Sequence, residues 1–310
     1  MTTGNEYSQT GKKRRSTAIA AAAAALFFVV GASHTPGQTA ALPSAKPSGP
    51  KFDVASIRPS RSLQEMAETG KWHTGITLDA ARVDIGYWSI LQLIVRAYRL
   101  QPFQLIGPDW MGLHRFDVQA NLPQGSTRKQ LPEMLQWLLA DRFGLKAHFD
   151  TKELNGFALK VGKGGVKMDA APPDPAANTE LAAKEEEADT FDLLSGSGTD
   201  KEPFGRSSIS ASENGEMHME FEKLPIPVLA QLLSSYLGAP VEDQTGLRGR
   251  FKVRLDFSKA LTATASPGQE DFAADNLFTA VKLLGLKLER RPVRCNVLVV
   301  DHVERTPTAN

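Results

Sequence analysis

The side chains of this 310-residue chain best suited to acid–base or metal chemistry are six histidines, His34, His73, His114, His148, His218 and His302. None falls in His-Glu-x-x-His or a comparable ligand spacing. Glu216, His218 and Glu220 alternate along one strand pattern and so share a face that could meet a metal. Met217, Met219 and Phe221 occupy the opposite face, which makes a solvated polar face the plainer reading. Asp301-His302-Val303-Glu304 ends another strand pattern and reads as surface. Cys295 is the only cysteine, which excludes an intramolecular disulfide and a cysteine zinc site. Within Cys295–Val300 it reads as a small buried hydrophobe. Gly162-Lys163-Gly164-Gly165 follows a strand pattern, but a phosphate loop needs a helix after it and no helix pattern follows. No Gly-x-Ser-x-Gly elbow or Ser-x-x-Lys nucleophile stands in a supporting context. The most site-like stretch is Gly107-Pro108-Asp109-Trp110, a rigid turn presenting a large aromatic that could anchor a partner. Its competing reading is a structural corner whose tryptophan plugs the core. No metal or cofactor is expected.

The elements that must position these residues repeat. Leu131–Val161 reads as helix, Gly144-Leu145-Lys146 break and a hairpin of Leu145–Phe149 and Phe157–Val161 turning at Asn155-Gly156. Asn276–Val303 repeats helix, Gly285-Leu286-Lys287 break and two alternating strands. Upstream of the first copy stand a strand at Lys51–Ile57, a polar loop at Ser60–Thr74 and strand alternation over Gly75–Ile85. A helix over Ser89–Tyr98 follows, then a short strand at Phe103–Ile106, a strand over Arg115–Ala120 and a helix over Lys129–Phe143. Upstream of the second copy come a strand at Gly215–Phe221, a helix at Pro225–Leu237, a short strand at Pro240–Asp243 and a strand at Arg250–Phe257. Helices alternating with mostly hairpin-linked strands predict an α+β fold. The expectation is a duplicated strand-helix-strand-strand-helix-hairpin module, residues 51–165 and 211–304, joined by a low-complexity disordered linker over 166–210 and followed by a tail, 305–310.

Residues 1–32 read as an export signal, with Lys12-Lys13-Arg14-Arg15 before the apolar run Ala18–Val30. That run is short for a membrane span. Residues 33–50, rich in Pro, Ala, Ser and Gly, read as a flexible tether. The formal charge of +1 argues against a nucleic-acid binder.

Several stretches resemble a known family. Phe52-Asp53-Val54-Ala55-Ser56-Ile57-Arg58-Pro59-Ser60 looks like the opening motif of a large uncharacterised family of exported proteins from soil acidobacteria. Gly107-Pro108-Asp109-Trp110 with Arg115-Phe116-Asp117-Val118, then Leu138–Phe143, then Asp243-Gln244-Thr245-Gly246-Leu247 with Gly249-Arg250-Phe251, resemble its later signatures. Ile106 stands where that family often has a further glycine. The resemblance implies export and fold, and no catalytic residues. The second half is also similar, more weakly, to short N-terminal modules of secretins and TonB-dependent receptors, which implies protein–protein contact. The sequence therefore leads to a periplasmic or secreted module binding an envelope protein or ligand. The alternatives are an extracytoplasmic hydrolase built from scattered carboxylates or histidines, or a small-ligand sensor.

Overall fold

The computed structural model describes residues 49–79, 81–172, 204–212, 215–258 and 270–308, with 270–275 as backbone alone. The expected signal and nearly all of the tether lie outside these residues, as does 173–203 of the expected linker. No described helix is long and apolar enough to cross a membrane.

The first half builds a four-stranded antiparallel sheet in the order β1-β5-β3-β2, from β1 (Val54–Pro59), β2 (Gly75–Leu78), β3 (Arg82–Ser89) and β5 (Arg115–Asn121). Between β1 and β2 lies α1 (Leu63–Thr69), in the stretch expected to be a polar loop. Its start was written in the sequence as Ser62-x-x-Glu65. The Ser62 N–H donates to Glu65 Oε2 and the Glu65 N–H donates to Ser62 Oγ, a reciprocal cap that satisfies two otherwise orphaned donors. The same device at Ser89 and Gln92 starts α2 (Ile90–Tyr98). Ile90, Leu93, Ile94 and Ala97 recur at helical spacing and are fully buried, which seats α2 on the sheet. A two-residue strand β4 (Leu105–Ile106) precedes β5, and α3 (Leu131–Arg142) follows it.

The second half follows the same order from β2 onward, with no counterpart to β1 and α1 among the described residues. Its three-stranded sheet runs β10-β8-β7, from β7 (Ser207–Ala211), β8 (Glu216–Pro225) and β10 (Arg250–Ser258). Helix α4 (Ile226–Leu237), the short strand β9 (Val241–Asp243) and α5 (Glu270–Leu283) stand where α2, β4 and α3 stand in the first half.

The halves meet in a third sheet of order β4-β11-β6-β9. Its spine is a ribbon of two long antiparallel strands, β6 (Lys146–Val161) and β11 (Leu286–His302). These replace both expected hairpins. Asn155-Gly156 is not a turn; it faces Pro292 and Arg291 in mid-ladder. Gly156 is there because the Pro240 carbonyl lies where a Cβ would be, 2.4 Å away, and accepts the Phe157 N–H at 2.9 Å. Each short strand crosses to the other half, β4 pairing with β11 and β9 with β6, both parallel. Glu153 and Arg294, each nine residues past the glycine of its Gly-Leu-Lys break, face each other at the centre of the ribbon.

Two apolar cores flank the ribbon. The first takes Leu145 just before β6, Ala147 from its start, and Leu298 and Val300 from the end of β11. The second takes Leu159 and Leu286 from the opposite ends. The stretch expected to be a linker carries structure at both described edges. Ala170 bridges to Phe251, Phe204 is 1% exposed, and β7 begins at Ser207.

Candidate functional site

Strand β3 breaks register against β5 between Ile85 and Trp88, a bulge that leaves Gly86 and Tyr87 out of the ladder. Tyr87 sits at φ 60°, a left-handed conformation that strains a bulky residue by about 1–2 kcal/mol. The bulge aims the Tyr87 N–H at Asp117 Oδ1, 3.0 Å away on β5. Gly86 admits the backbone of His73, whose carbonyl oxygen would lie 2.5 Å from any Cβ there.

His73 is held between two carboxylates. Its Nε2 faces Asp84 Oδ1 at 2.6 Å and its Nδ1 faces Asp117 Oδ2 at 3.2 Å. Only the doubly protonated ring donates to both. Burial works against that charge, but the hydrogen bonds to Asp84 and Asp117 outweigh it and hold His73 above its ordinary pKa. Asp117 also accepts the Ser60 hydroxyl at 2.5 Å. Burial raises its pKa, and the bonds from Ser60, Tyr87 and His73 more than reverse this, so it lies below the usual carboxylate range. The Ser60 hydroxyl thus faces a carboxylate and not the imidazole, so the group is a brace rather than a nucleophile and base.

This brace pins the loop between α1 and β2 and with it Trp72, whose side chain is left 60% exposed. Below Trp72 opens a cleft of about 380 Å³, at the small end of the roughly 300–1,000 Å³ usual for small-ligand pockets. Its lining includes the cations Arg58, Arg61 and Lys71, the polar Ser56 and Gln119, and the buried Met66. A larger cleft of about 790 Å³ lies over the middle of the ribbon, between Tyr98 and Phe149 on one side and Gln231 and Pro240 on the other. Across its floor Gln104 Nε2 donates to the Asn296 carbonyl.

The residues singled out in the sequence lie elsewhere. In the Gly107–Trp110 turn, Gly107, Pro108 and Asp109 are exposed. Gly107 packs where a Cβ would meet Met111 Cε at 2.6 Å, and Trp110 lies half-buried against the first core with the Arg305 guanidinium 5.1 Å over its ring. His218 Nδ1 faces Asp256 Oδ1 at 2.9 Å, while Glu220 turns instead to Lys252 at 3.5 Å. His302 pairs with Glu304 and His148 with Asp301, all near the surface. Gly162–Gly165 packs against Gly285. Cys295 is half-buried on β11, and burial pushes its thiol up.

Sequence reasoning missed His73, Trp72, Asp84 and the bulge. One signal was present. Ser60 and Asp117 lie in two of the stretches that resemble family motifs, and their side chains meet.

A family model described as "Protein of unknown function (DUF3738)" matches residues 91–303. Of the cleft's lining, Asp117 and Gln119 fall inside that match. No curated protein and no solved structure matches the chain.

Proposed function

The chain belongs to the DUF3738 family, whose function is unknown, and we propose that it acts as an exported, non-catalytic binding module contacting its ligand at the cleft below Trp72. The observation that carries this is a large aromatic presented to solvent by a loop that a strained, internally satisfied polar brace holds still. Exposed rigid aromatics over a concave surface are where binding energy concentrates, because little conformational freedom remains to be lost. Export rests on the basic and apolar pattern of residues 1–32. The repeated order of elements supports descent of the two halves from one duplicated module. The exposed edge of Gly107, Pro108 and Asp109 is a second contact surface in this reading, suited to an envelope protein.

The test is binding of the purified chain to fractionated envelope polysaccharide, lipid and protein, beside its Trp72→Ala variant. Binding to one fraction that Trp72→Ala loses supports the module. Turnover of the bound material, or binding unchanged by Trp72→Ala, overturns it.

A further inference from the structure

From the chemistry of the cleft, and resting on the reading that it is the contact site, we infer that its ligand is a carboxylate-bearing saccharide. The charge of the lining is one-sided. Arg58, Arg61 and Lys71 face a single carboxylate, Asp117, and that carboxylate is already committed to Ser60, Tyr87 and His73. Asp84, the carboxylate behind His73 and Gln119, is likewise bonded to both, so a ligand anion meets cations and only carboxylates that already have partners. Arg58 near the end of β1 and Arg61 just beyond it each bring a guanidinium to the lining, and the planar donors of a guanidinium can grip a carboxylate in bidentate fashion. Arg58 is already steered toward this wall by Gln119, whose Oε1 its Nη2 approaches at 3.4 Å.

The remaining lining selects a sugar ring. The Trp72 indole offers a flat apolar face, open to solvent over more than half its surface, on which the C–H face of a pyranose can stack. The Ser56 hydroxyl lines the cleft as a neutral donor and acceptor for ring hydroxyls, and the Gln119 amide, already shared between Arg58 and Asp84, keeps one N–H for the same use. Nothing in this set favours a long aliphatic chain, since the only aliphatic lining is Pro59 and a Met66 that is 2% exposed. The brace matters here because it fixes the indole before the ligand arrives, so stacking orders only the sugar.

The test is calorimetric titration of the full-length chain with oligogalacturonate, its methyl ester, poly-glutamate and inorganic phosphate. Oligogalacturonate should bind, and the uncharged methyl ester should bind at least about tenfold more weakly, the loss expected for a charge-assisted pair. Arg58→Gln and Arg61→Gln should each weaken binding by about the same factor, Trp72→Ala should weaken it further, and Trp72→Phe should restore part of it. Arg294→Gln, at the centre of the ribbon, serves as the remote control and should leave binding intact. Circular dichroism of each variant separates lost contact from lost fold. Equal binding of ester and acid, or binding of poly-glutamate or phosphate as tight as that of the acidic sugar, overturns the saccharide assignment. If an envelope fraction binds through Trp72 while oligogalacturonate does not, the ligand class fails and the binding module stands. If neither binds, both fail.

Discussion

The same bulge occurs in both halves of the molecule and is used in two ways. In the first half Trp88 and Ile85 of β3 face Phe116 and Val118 of β5, with Gly86 and Tyr87 left between. In the second, Leu224 and Phe221 of β8 face Phe251 and Val253 of β10, with Glu222 and Lys223 left between. There the loose N–H groups find backbone, Glu222 donating to the Arg206 carbonyl and Lys223 to that of Phe204. The site held by His73 in the first half is held by Phe204, three residues before the pairing strand and 1% exposed. The positions of Asp84 and Asp117 are taken by Glu220 and Lys252, which form a plain surface ion pair. One half thus completes its bulge with backbone bonds and an apolar plug. The other completes it with a left-handed tyrosine, a clamped histidine and two carboxylates. Of the two bulges, the first alone carries a left-handed residue and a half-exposed cluster of charges, features that gather at functional sites.

The sharpest way to break this comparison is to exchange what plugs the two bulges. Phe204→Ala should cost about 3–5 kcal/mol, the usual loss for a buried phenylalanine, measured by urea denaturation. His73→Ala should cost clearly less, because the ring is 40% exposed and its charges are screened. An equal loss from both would mean that the two plugs serve one structural purpose. Next in size, Gly86→Ala should destabilise by about 2–3 kcal/mol, since its Cβ must displace the His73 backbone. Glu222→Ala, at the matching place, should stay within about 1 kcal/mol. Asp117→Asn should cost about 1–3 kcal/mol by leaving its partly buried donors poorly matched, whereas Lys252→Ala should stay within about 0.5 kcal/mol.

A smaller effect is expected with pH. His73 is raised in the folded state, so its contribution to stability is complete below its unfolded pKa of about 6.5 and is lost as pH rises through the folded value. Asp117 is lowered, so its contribution is present above about pH 4 and is lost as pH falls through its folded value. Melting temperature should therefore peak between about pH 4 and 6.5, and the decline on the alkaline side should flatten in His73→Gln. Smallest of all, Trp72→Ala should leave the melting temperature unchanged, as its ring makes little of the core.

The mixture of helices and strands was legible because apolar periodicity and the two Gly-Leu-Lys breaks are local features. Helix α2 began at Ser89 as its spacing predicted. The ribbon was not legible. Asn155-Gly156 has the composition of a hairpin turn, and the reason for its glycine, the Pro240 carbonyl, lies 84 residues away in sequence. The site was hidden for the same kind of reason. Ser60, His73, Asp84 and Asp117 come from β1's end, a loop, β3 and β5, and each is an ordinary polar residue in its own neighbourhood. The left-handed Tyr87 leaves no trace in composition, since glycine beside it looks sufficient for a bend.

The long ribbon also dictates when this protein can become itself. The core of the first half is closed by Leu298, Val300 and Val303. A nascent chain halted before Val297 would hold every residue of the cleft and still lack the strand on which α2, α3 and β4 rest. Neither half can therefore mature ahead of the other during synthesis, and assembly awaits a pairing between segments that the ribosome releases far apart in time.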